Sequence, residues 1–180
     1  MGLQSWLAAP RRSIFKNQPA KEFRLNRSCY CVWDLQSTDR SSALSELLSR
    51  TPHTGSHTRE LLLRALEARE AAGATLVSED IAMPHCRSTL VEDLVIILGR
   101  SPAGIGWPEE PARTIILFIT PVRPSGPQEH LELISHIADR IRNSPAGGLA
   151  GAAGPSELAG MLGFELTEDG PDASGSREAH

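Results

Sequence analysis

The sequence predicts an α/β domain, a small mixed β-sheet sandwiched by helices, and three features of its apolar pattern predict it. Short continuous aliphatic runs at 81–83, 94–98 and 115–119 have the length of strands, and the last two are apolar enough to be covered on both faces. Segments of period 3.6 at 40–50, between Thr58 and Gly73, and at 129–142 carry one aliphatic face each. Gly- and Pro-bearing breaks such as 121–127 separate the two kinds of segment.

Size and composition agree with one folded unit. A chain of 180 residues fits a single ordinary domain with loose ends rather than two. Hydrophobic residues make up 40% of it, enough for a core, but aromatics only 4%, so that core is aliphatic. A net charge of -4 and a pI of about 5.9 argue against nucleic acid as a partner, because binding it requires a cationic surface that displaces counterions from phosphates. No run approaches the roughly 18 to 20 apolar residues that cross a bilayer, so no membrane insertion is expected. Cys29, Cys31 and Cys86 are too few for a disulfide scaffold, and Arg11 and Arg12 are not followed by the apolar stretch of a signal peptide. A cytoplasmic location is expected.

The elements follow in order. Residues 1–27 hold six basic side chains against Glu22 alone and lack periodicity, which reads as an irregular basic extension: a solvated tail, or a start codon assigned too early. The domain proper is expected over 28–164. Residues 29–35 form a strand, and Ser37, Thr38 and Asp39 offer caps for the helix at 40–50, which Thr51-Pro52 stops. Thr58 caps the second helix and Gly73 ends it. Strands then follow, and a long helix over 129–142 presents Leu133, Ile134, Ile137 and Ile141. Residues 144–154 are Ala- and Gly-rich, a weak helix or a flexible linker to a short helix at 156–162. The acidic, Gly-rich residues 165–180 are expected to be disordered.

The most informative segment is Ile81-Ala82-Met83-Pro84-His85-Cys86-Arg87. Pro84 biases Met83 toward extended backbone and ends the strand, so His85 is expected at a strand end where a loop presents it to solvent. Spacing alone favours a structural or incidental histidine over a reactive one. Cys86 points to the opposite face from His85 if the backbone is extended, which argues against a Cys-His pair, and Arg87 reads either as local positive charge or as a solvated cation. His136 reads as surface and Trp107 as packing. His53 and His57 lack a third and fourth ligand for zinc. Cys29 and Cys31 read as strand packing, and Gly104-Ile-Gly106 opens no helix, so a dinucleotide loop is rejected.

Taken together, Arg69-Glu70 at a helix end, Thr75, the Ile-Ala-Met-Pro-His segment 16 residues after Arg69, and Glu129-His130-Leu131-Glu132-Leu133 opening a helix form an ordered set. This set resembles the IIA domain of the fructose, mannitol and nitrogen-regulatory branch of the bacterial sugar phosphotransferase system, over about residues 29–162. The resemblance implies a mannitol-type enzyme IIA-like fold and a phosphohistidine carrier. His85 would accept a phosphoryl group from an HPr-type phosphocarrier and pass it to a cysteine of a IIB component, or hold it as a regulatory signal. Arg69 corresponds to the family's site arginine and His130 to its second histidine, each stabilising the group rather than receiving it. Neither metal nor other cofactor is implied. The alternative is a non-enzymatic regulatory module that binds and controls a partner kinase or transporter. The chain departs from the family pattern at 76–80, where Leu-Val-Ser-Glu-Asp replaces a Gly-rich loop and brings two acids, and at Cys86, where Gly or Ala is usual.

Overall fold

Alternation along the central strands sorts the apolar side chains into two layers, and the helices follow that division. The computed structural model describes residues 27–51, 54–78, 80–108, 110–124, 126–144 and 148–167. The antiparallel pair β5 (Leu94–Ile105) and β6 (Ala112–Pro121) forms the centre of a six-stranded mixed sheet. Strand β1 (Arg27–Val32) runs parallel to β5. Along the other side of β6 lie β3 (Ile81–Ala82) and β4 (His85–Ser88), both parallel to it, and β2 (Leu76–Ser78) pairs antiparallel with β3.

On one face, Ile115, Leu117 and Ile119 of β6 pack with helices α1 (Arg40–Leu48) and α2 (Ser56–Ala71) through Leu44, Leu47, Leu62 and Leu66. On the other, Ile116 and Phe118 pack with α3 (Pro127–Arg142), a 3-10 turn at Gly148–Gly151 and α4 (Pro155–Met161) through Leu133, Ile137, Leu149 and Leu158. Leu62 and Leu133 are fully enclosed, so truncating either to alanine costs about 2–5 kcal/mol. The predicted helical sandwich is the architecture found.

Local differences have local causes. Asp39 is the cap of α1, its Oδ1 accepting from the Ser42 backbone N–H at 3.0 Å. Helix α2 starts before the expected Thr58, at Ser56 behind Gly55, whose carbonyl accepts from Arg59 N–H at 3.1 Å. β1 stops at Val32 rather than 35, because the chain bends at Trp33 and Asp34 before Leu35 N–H reaches the Arg100 carbonyl at 2.9 Å. Residues 165–167, expected in the disordered tail, are attached to the sheet: Thr167 N–H donates to the Cys29 carbonyl at 2.8 Å, and Cys29 N–H to Thr167 Oγ1 at 3.0 Å. Of the extension expected at 1–27, Arg27 instead opens β1, paired with Leu94, while residues 1–26, His53 and the remainder of the tail at 168–180 lie outside the described residues. Among the described residues no helix is long and apolar enough to cross a membrane.

The largest departure concerns β3 and β4. Ile81 and Ala82 sit opposite Thr114 and Ile115, while His85, Cys86 and Arg87 sit opposite Phe118, Ile119 and Thr120, so one register runs through both pieces. They are one strand interrupted at Met83-Pro84. Pro84 has no N–H to give the ladder, and Met83 N–H turns away to the Thr75 carbonyl at 2.9 Å. The Pro84 carbonyl nevertheless accepts from Phe118 N–H at 3.2 Å, and pairing resumes. His85 is therefore inside a strand and only 3% exposed, not held out to solvent by a loop as expected.

Candidate functional site

Because register continues across the break, alternation does too: Ile81 and Met83 face the α3 layer, whereas Ala82 and Cys86 face α1 and α2. His85 and Arg87 keep the parity of Met83. Opposite them on β6, Phe118 and Thr120 share that face. Four side chains thus make a patch of the sheet beneath the first turns of α3, where His130 is the fourth helical residue.

His85 lies flat against Phe118, with ring centroids 5.0 Å apart and planes 5° from parallel. Its Nδ1 is 2.7 Å from the Met83 carbonyl oxygen. A carbonyl only accepts, so Nδ1 carries the proton and Nε2 carries the lone pair. Burial holds the ring's pKa down at about 4, aided by the positive charge of Arg69 and opposed by the Met83 hydrogen bond. At neutral pH His85 is an uncharged imidazole with Nε2 as its nucleophilic nitrogen.

His130 stands with its ring centroid 5.3 Å from that of His85, and its Nδ1 is 2.7 Å from Thr120 Oγ1. Burial also lowers this ring to about 4, with the charges of Arg87 and Arg69 acting in the same direction. Arg69, in the last turn of α2, donates from Nη1 to the Gly73 carbonyl at 3.0 Å, which anchors the guanidinium at the helix end. Arg87 Nη2 donates to the Val122 carbonyl at 3.4 Å. Two histidines and two arginines that act on them electrostatically therefore converge where β4 meets α2 and α3, an arrangement suited to an anion with several oxygens.

Glu70, next to Arg69 and only 2% exposed, ties this corner together. Its carboxylate accepts from Thr75 N–H at 3.3 Å, from the Thr75 hydroxyl, and from Trp107 Nε1–H at 3.1 Å. The end of α2 is thereby joined to the start of β2 and to the β5–β6 hairpin. Trp107, expected only to pack, is a hydrogen-bond donor.

Sequence reasoning named His85, Arg69 and His130 and left Arg87 open. It missed Thr120 and Phe118, whose signal is the β4–β6 register, and it quoted Glu70 within the ordered motif without giving it a role, which an acid on the buried side of a helix signals. Of the acids at the Gly-poor turn, Glu79 lies outside the described residues. Asp80 sits at the far end of the interrupted strand, its carbonyl accepting from Arg113 and Thr114 N–H, about 16 Å of strand from His85. Cys86 faces away from His85 into the α1–α2 layer, and burial pushes its thiol up to about 12. His57 is exposed, and no metal-binding cluster of His, Cys, Asp or Glu occurs among the described residues. His136, expected at the surface, is half-buried and hydrogen-bonded through Nε2 to the Leu162 carbonyl at 2.9 Å.

The layered sheet is that of the phosphotransferase-system IIA proteins. The fold is similar to IIA mannitol from Escherichia coli (TM-score 0.56, 17% identity, 73% of this chain and 94% of that one). It is also similar to nitrogen regulatory protein IIA-Ntr from Neisseria meningitidis (TM-score 0.54, 21% identity, 63% and 78%). A third likeness is to the complex of IIA mannitol with phosphorylated IIB mannitol from Escherichia coli (TM-score 0.52, 13% identity, 74% and 93%). Residues 25–156 match the family model for the phosphoenolpyruvate-dependent sugar phosphotransferase system, EIIA 2, and the chain belongs to that family. Over 102 residues it is 31% identical to multiphosphoryl transfer protein 2 of Escherichia coli strain K12, a match covering 56% of this chain but only 12% of that relative's length. Family membership implies a role in phosphoryl relay.

Proposed function

We propose that this chain is a phosphohistidine phosphocarrier, in which His85 accepts a phosphoryl group from an HPr-type carrier and passes it to a cysteine of a IIB component or holds it as a regulatory signal. The observation that carries this function is the 2.7 Å hydrogen bond from His85 Nδ1 to the Met83 carbonyl, which leaves Nε2 as the nucleophile. The Nε2 lone pair attacks phosphorus; the donor's bond to phosphorus breaks and its electron pair stays with the donor. The ring then carries positive charge, which the Met83 carbonyl dipole offsets through Nδ1–H. In the onward step a thiolate attacks phosphorus and the Nε2–P electron pair returns to the ring. Arg69, Arg87 and His130 supply positive charge and N–H donors for the equatorial oxygens. The likeness to a IIA–IIB complex supports a IIB-type partner. So do two exposed leucines near the site, Leu131 beside His130 and Leu90 just after β4. Free Cys29, Cys31 and Cys86 are consistent with a cytoplasmic setting.

The test is incubation with phosphoenolpyruvate, enzyme I and HPr, followed by intact mass. One acid-labile phosphoryl adduct, absent from His85→Ala, is expected. An adduct that persists in His85→Ala would move the acceptor elsewhere, and none on the wild type would leave a partner-binding regulatory module.

A further inference from the structure

Thr120 is buried, at 2% exposure, and its hydroxyl has one hydrogen-bond partner among the described residues, Nδ1 of His130 at 2.7 Å. Two proton arrangements fit that distance. If His130 Nδ1–H donated to Oγ1, the buried hydroxyl hydrogen would have no acceptor, a state that buried polar groups in folded proteins rarely show. If the hydroxyl donates to Nδ1, both groups are satisfied and the imidazole's own proton sits on Nε2.

From this we infer that Thr120 is a positioning residue that fixes the tautomer of His130, so that His130 offers an Nε2–H donor to the oxygens of a phosphoryl group on His85. The inference rests on the function proposed above. It also explains why the two rings differ in their partners. A carbonyl, which only accepts, leaves His85 a lone pair on Nε2; a hydroxyl able to donate leaves His130 a hydrogen on Nε2. The opposite tautomer at His130 would aim a lone pair at an oxyanion. Tautomer choice matters because His130 is held neutral, by burial and by the charges of Arg87 and Arg69. No proton transfer is involved, only a hydrogen bond that strengthens as charge gathers on the transferring group.

The test uses the full chain labelled with 15N-histidine, with His130 assigned by comparison with His130→Asn, at neutral pH. The wild type is expected to show a protonated Nε2 and an unprotonated Nδ1 at His130. Thr120→Val should lose that preference and slow phosphoryl acceptance by about 10- to 100-fold, while Thr120→Ser restores both. A wild-type His130 protonated on Nδ1 overturns the inference without reference to any variant, as does Thr120→Val with an unchanged tautomer and rate. If the tautomer shifts as expected but the wild type takes no phosphoryl group from HPr, the carrier function has failed and Thr120's control of the ring stands apart from it.

Discussion

His130 and His136 lie on the same helix, six residues and about 120° apart around its axis, and each has one ring nitrogen tied to a neighbouring element. Burial lowers the pKa of both. His130 is tied to a side-chain hydroxyl and sits near two arginines and a second imidazole. His136 is tied to the Leu162 backbone carbonyl and lies 5.8 Å from the Phe164 ring, with Arg140 and Asp139 acting on it in opposite directions. Residue type and helix are the same, so the partner decides the job. One ring faces a cationic corner, to which the proposed function assigns the phosphoryl group, and the other fastens the chain's C-terminal segment to α3.

The widest separation between the two concerns chemistry. His85→Ala should abolish phosphoryl acceptance, whereas His136→Ala should leave its initial rate within about twofold, measured as adduct formed per second from phosphorylated HPr. Equal losses in both variants would mean that the rings belong to one network. Next, Arg69→Ala and His130→Ala should each slow the transfer by about 30- to 1000-fold, equivalent to about 2–4 kcal/mol in the barrier, with the unfolding midpoint nearly unchanged. Wild-type rates in either variant would remove that residue from the site.

Acid separates the histidines by degree. The folded pKa of His85, about 4, lies below the ordinary 6.5, so between these values the unfolded chain binds the proton and the folded chain does not. Stability is therefore full above pH 6.5 and falls as pH drops toward 4, by up to about 3 kcal/mol for this ring alone. Urea unfolding at pH 7.5 and 4.5 should show that loss, and His85→Gln should remove this ring's share of it, leaving the share of His130, which is also held at about 4. The smallest effect belongs to the fastening. His136→Ala should cost about 1–2 kcal/mol through its hydrogen bond and its contact with Phe164. A chain ending at Phe164 should be less stable than one ending at Thr167 by about 1 kcal/mol, because it loses the two bonds to Cys29.

How much of this was legible follows from what repeats. The cores of β5 and β6 stood out as unbroken apolar runs of mostly Leu, Ile and Val, and those of α1, α2 and α3 because apolar residues recur there at period 3.6 for two turns or more. β2 and β4 did not, being three and four residues long, and β4 reads His-Cys-Arg-Ser, with no aliphatic run to announce it. His85, Arg69 and His130 came from an ordered motif. Phe118 and Thr120 came only with three-dimensional register: Thr120 is one more β-branched residue in an apolar strand until β4 is laid beside it. Pro84 misled for a specific reason. It removes one donor from the ladder but leaves its carbonyl able to pair, so it interrupts the strand without ending it.

That interruption also sets a rule for how the chain can change length. The link between β3 and β4 is Met83-Pro84, an even number of residues, and the face pattern of the strand passes through it unaltered. Gaining or losing a single residue there would rotate everything downstream by half a turn of the pleat. The imidazole of residue 85 would then look into the aliphatic layer of α1 and α2, and the thiol of Cys86 would arrive beneath α3 in its place. Insertions and deletions of two residues would keep the parity, so across sequence variants this link should change length by twos or stay as it is.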